Sequence, residues 1–110
     1  MSRLAVVALV VCAACQGGKP SSEAWKATGY GRDMEKVCNA MKESGAAEQP
    51  EETRMVIIAR WLGKNLETNK MHAFLVKIQP LGPEEKAAAF EAEARSVGLA
   101  DCPIAREWTK

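Results

Sequence analysis

The stretch DMEKVCNAMKESG, residues 33–45, decides the fold class. Met34, Val37, Cys38 and Met41 fall at i, i+3, i+4 and i+7, which places them on one face of a helix; a half-buried strand would alternate instead. Asp33 stands as an N-cap and Gly45 as a stop, so the segment reads as a first helix. The same period continues outward along the chain. Pro50 opens a second helix with the stripe Met55, Ile58, Ala59, Leu62 and Leu66, interrupted or closely packed at Gly63. Thr68 caps a third, whose Met71, Phe74, Leu75 and Ile78 repeat the pattern before Pro80. Pro83 opens a fourth, with Ala87, Phe90, Ala94 and Val97 as its stripe and Gly98-Leu99 as a Schellman ending. Asp101 is placed to cap a last short helix carrying Ile104 and Trp108. No run longer than four residues alternates, so the expected fold is all-α, a small bundle of four helices plus a short C-terminal helix.

Of 110 residues, 47% are apolar, but twelve of these fall within the first fourteen positions, where Arg3 is the only charge. Beyond Ala14 basic and acidic residues balance at fourteen each. Length leaves room for one small domain and excludes a TIM barrel or a two-domain nucleotide enzyme. The balanced charge argues against nucleic acid as a partner, since such binders gather a basic excess on one face.

The apolar run Leu4 to Val11 is far shorter than the roughly 20 residues needed to span a hydrocarbon core, and suits a cleaved export signal. The segment Cys12-Ala13-Ala14-Cys15 resembles the lipobox of bacterial lipoproteins, in which small residues precede a cysteine that is acylated and becomes the mature N-terminus; Cys12 stands where that family has Leu. The resemblance implies a signal peptide over 1–14, lipid attachment at Cys15 and, with Gln16 following, outer-membrane retention. Residues 15–31 hold several Gly, Ser and Thr without an apolar period and read as a flexible tether, in which Trp25 and Tyr30 are expected to pack back as a strap. The helical domain is then assigned to 32–110.

Two cysteines remain after Cys12 and Cys15, and an exported chain meets an oxidising compartment, so Cys38 and Cys102 are expected to form a disulfide. A domain this small with few large apolar side chains needs such a staple. His72 is the only histidine and lies beside the third helix's stripe. The glutamates at 51, 52, 84 and 85 occupy first helical turns, where the helix dipole favours them. No nucleophile elbow, zincin motif, phosphate loop or di-iron pattern occurs, so no enzyme activity, cofactor or metal is expected.

On the second helix Ile57 and Trp61 point away from the main stripe by well over 100°. With Arg54 and Lys64 beside them they form a candidate partner-binding patch, unless that helix is central and buried on both sides. The helical module, through Cys38, Cys102 and the Gly98-Leu99 to Cys102-Pro103 segment, resembles other short lipoproteins of Gram-negative bacteria. The expected function is a lipid-anchored, non-catalytic interaction or accessory module of the cell envelope, facing the periplasm or cell surface, with an envelope protein as partner. The alternative is a periplasmic carrier of a small apolar ligand, with Met34, Met41, Met55 and Met71 lining its pocket. Replacing Cys15 by Ala is expected to move the protein from membrane to soluble fractions on cell fractionation; retention of the unprocessed chain in the membrane would overturn the lipobox assignment.

Overall fold

The computed structural model describes residues 23–110. The signal-peptide and lipid-attachment expectations, Cys15 included, lie outside the described residues. Within them every regular element is helical, in agreement with the all-α expectation. A 3-10 turn, Ala24–Ala27, leads into α1 (Gly29–Cys38). After a break at Asn39 come α2 (Ala40–Glu43), a 3-10 turn at Ala46–Glu48, α3 (Glu51–Asn65), α4 (Asn69–Ile78) and α5 (Pro83–Ser96). A C-terminal 3-10 helix, Pro103–Trp108, completes the fold.

The chain folds earlier than its composition suggests. Thr28, not Asp33, is the cap of α1, its Oγ1 accepting from the Gly31 amide at 2.9 Å. Gly31, which reads as linker, has a packing reason, since a Cβ there would collide with the Trp25 carbonyl. Tyr30 is half-buried and donates its hydroxyl to the Glu93 carboxylate on α5, which fastens the strap to the body. Burial and that carboxylate together raise the tyrosine's pKa.

With its cap supplied upstream, Asp33 lies inside α1 and is fully buried. Its carboxylate accepts from the amides of Glu67 (2.8 Å) and Thr68 (2.8 Å) and from the Thr68 hydroxyl (2.7 Å). The Thr68 Oγ1 in turn accepts from the Met71 amide at 3.2 Å, capping α4 as the sequence predicts. Asp33 therefore organises the start of α4 rather than of its own helix. Around it, Lys36 reaches the Asn65 carbonyl at 2.8 Å, and Arg32 pairs with Glu67 at 3.2 Å.

α1 is the hub. It touches the N-terminal turn, α2, α3, α4, α5 and the C-terminal helix, and carries the buried Gly31, Asp33, Met34, Val37 and Cys38. The second helix of the sequence reading, α3, has instead one fully buried residue, Ile58. Cys38 and Cys102 are disulfide-bonded with Cα atoms 4.5 Å apart, tying α1 to the entry of the C-terminal helix. A closed loop with a sequence separation of 64 removes about 4 kcal/mol of chain entropy from the unfolded state.

Several local expectations hold. Gly45 takes φ +84° after α2, and Gly98 takes φ +98° after α5. The Leu99 and Gly98 amides bond back to the Ala94 and Arg95 carbonyls, completing the Schellman pair. Others do not hold. α3 runs unbroken through Gly63, with open space where its Cβ would lie. Pro50 is the cap of α3, one position before the first turn. Asp101 caps nothing with its side chain; it pairs with Arg106 at 3.1 Å, and the last helix is 3-10 rather than α.

Asp33→Asn exchanges one acceptor oxygen for an NH₂ group facing an amide donor, while leaving volume unchanged. It is expected to cost about 2 kcal/mol in denaturant unfolding, the scale of a buried hydrogen bond to a charged group; a loss under about 0.5 kcal/mol would remove Asp33 from this role.

Candidate functional site

α3 rests on α1, α2 and the Ala46–Glu48 turn, whereas α5 rests on α1 and the C-terminal helix. The divergence opens a groove of about 290 Å³ between them. Met55, Ile58, Ala59 and Leu62 of α3 form one wall. Phe90 of α5 with Ile104 and Trp108 of the C-terminal helix form the other, while Leu75 and Ile78 of α4 close one side and Val37 of α1 lies at the base. Gln79 and Lys86 are its polar members, and Lys86 its single charge.

The far wall is held in place by aromatic packing. Trp108 stacks on Phe90 with ring centroids 5.1 Å apart, and Phe74 meets Phe90 edge-on at 5.9 Å. These contacts keep the C-terminal helix against α5. The Lys86 ammonium lies 5.6 Å from the Trp108 ring centroid, within range of a cation–π attraction. On the near wall, Met55 is 48% exposed although it belongs to the stripe read as core, and its neighbour Val56 is 54% exposed. Ala59 is exposed as well.

The partner-binding candidates fall differently. Ile57 and Trp61 are half-buried and pack against the core. Arg54 donates to the backbone carbonyls of Gln49 (2.9 Å) and Ala47 (3.2 Å), closing the turn before α3, and Lys64 is exposed. The four therefore do not assemble into an open apolar patch. The line of deepest burial on α3 runs through Ile58, at the edge of the Met55 stripe nearest Ile57 and Trp61, so each face is partly covered and the Met55 side opens on the groove. The proposed methionine lining also disperses: Met34 and Met71 are fully buried core residues, Met41 is half-buried, and Met55 alone reaches the groove. Lys86 and Trp108 were not singled out as site residues by sequence reasoning. Trp108 carried a signal in its spacing from Ile104, but Lys86 carried none.

His72 is exposed. Among the described residues no three His, Cys, Asp or Glu side chains gather as a metal site, and no helix is long and apolar enough to cross a membrane. No family model, curated protein or solved structure matches this chain.

Away from the groove, Glu35 of α1 and Glu43 of α2 face each other across the Asn39 break, with the Asn39 amide donating to Glu35 at 3.2 Å. Partial desolvation of its carboxyl, then the hydrogen bond to Glu35 and its charge, push Glu43 up to about 7. A raised carboxyl pKa favours the folded protein fully below the ordinary carboxylate range, and that contribution is lost as pH rises through about 7. Glu43→Gln mimics the protonated form. Its unfolding free energy is expected to match the parent near pH 4 and exceed it at pH 8 by about 0.5 kcal/mol, a small value because Glu43 is solvent-exposed; equal stabilities at both pH values would contradict the pairing.

Proposed function

We propose that this protein is a lipid-anchored, non-catalytic binding module of the cell envelope, and that it works through what its groove holds. The observation that carries this reading is the groove itself, an apolar cleft between α3 and the Phe90 and Trp108 wall, with Met55 at its edge half in water. Exposed apolar surface concentrated in a concave site is the usual mark of a binding surface. The anchored location is supported by the lipobox resemblance at Cys12 to Cys15 and by a disulfide suited to an exported chain. An outer-membrane position follows from Gln16 on the same resemblance. Two occupants fit such a module: apolar side chains of an envelope protein, or a small apolar ligand.

A photo-crosslinking phenylalanine analogue placed at position 59, in full-length protein expressed in its own envelope, is expected to yield one discrete adduct on irradiation. The same analogue at His72, which is exposed and outside the groove, is expected to yield none. Identical adduct patterns at both positions, or none at 59, would overturn the reading.

A further inference from the structure

We propose that the groove binds a single-chain amphiphile with an anionic head, its alkyl tail lying between Met55, Leu62 and Trp108 and its head meeting Lys86. The proposal rests on the binding-module reading and specifies its occupant.

Shape sets the first limit. A volume of about 290 Å³ holds about ten water-sized groups at ~30 Å³ each. That suits one slender chain and is at the lower edge of the space that drug-sized ligands occupy. A partner helix, about 10 Å across, would find room for one or two side chains only. The cleft is open to solvent along one side, so a longer tail can enter in part.

Charge sets the second. The lining is apolar except at Gln79 and Lys86, and it contains no carboxylate. Among the described residues Lys86 forms no ion pair, whereas Arg32, Lys36 and Arg106 all do. Its ammonium is held instead near the face of Trp108, at the wall the tail would lie against. A tail in the cleft thus brings its head to an uncompensated cation, and a carboxylate or phosphate there gains a charge-assisted hydrogen bond that a neutral or cationic head does not. The tail also covers Met55, which is otherwise half in water.

The test uses isolated envelopes carrying the full chain, irradiated with a diazirine-bearing dodecanoate. Adducts are expected on the peptides of α3 and the C-terminal helix. Excess unlabelled dodecanoate should suppress them, while dodecyltrimethylammonium at the same concentration should not. Lys86→Gln, a substitution at the groove's polar member, is expected to lower adduct yield about fivefold, the upper range for a partly exposed ion pair. Met55→Glu, which puts a carboxylate at the exposed edge of the groove, should abolish labelling while retaining the helical circular dichroism of the parent. Adducts spread outside the groove, equal competition by the cationic amphiphile, or unchanged yield in Lys86→Gln would overturn the proposal. A protein adduct at position 59 with no dodecanoate labelling would overturn it too, and would leave the binding-module reading standing.

Discussion

The carboxylate of Asp33 is the interaction on which the rest of the structure depends. A fully buried carboxyl group is tolerable only when its oxygens are satisfied, and here two backbone amides and a hydroxyl of the α3–α4 connection do so, with the Lys36 ammonium 3.9 Å away. The requirement works in both directions. The Glu67 and Thr68 amides, which lie at the start of a helix and have no partner within it, are satisfied only by this carboxylate. The position of α4 relative to α1 is therefore set by a polar contact with strict geometry, and the apolar contacts of Met34 and Met71 are built around it.

From that fixed pair the remaining elements follow as attachments to α1. The disulfide holds the C-terminal helix to the far end of α1 through Cys38, and Phe90 then stacks with Trp108 to hold α5 in the same arrangement. The N-terminal turn lies across α1 at Gly31 and is clasped by the Tyr30 to Glu93 contact. α3 is the exception. It is fastened through the Ala46–Glu48 turn and the Arg54 hydrogen bonds, contributes only Ile58 to the deep core, and diverges from α5. The groove is the space that this divergence leaves, so the candidate site is a consequence of a hub helix with more neighbours than it can bring together.

Much of this was legible. The helices at 51–65, 69–78 and 83–96 follow from apolar spacing with Thr68, Pro83 and Gly98 at their ends, because these residues act on the backbone within a few positions of themselves. The Cys38 to Cys102 pairing followed from having two cysteines left in an exported chain. The start of α1 was not legible, because Gly29 and Gly31 look like tether until the Trp25 carbonyl is seen against Gly31. Asp33 has the sequence signature of a cap, and it does satisfy helix-end amides, but those of a helix 35 residues away.

The groove was the least legible feature. Periodicity marks which side chains of α3 avoid water on average, and both the Met55 stripe and the Ile57 and Trp61 pair meet that description. It carries no information on where the neighbouring helices stop. The sequence by itself determined the three later helices with their ends at Thr68, Pro83 and Gly98, the charge balance and the disulfide, since each depends on residue type and on contacts a few positions apart or on the count of cysteines. The tertiary structure alone decided that Asp33 is buried against α4, that α1 rather than α3 is central, and that Met55 faces a cleft beside Lys86 and Trp108. Those outcomes depend on the angles at which helices distant in sequence meet, and such angles are settled by packing and by the need to satisfy one buried carboxylate.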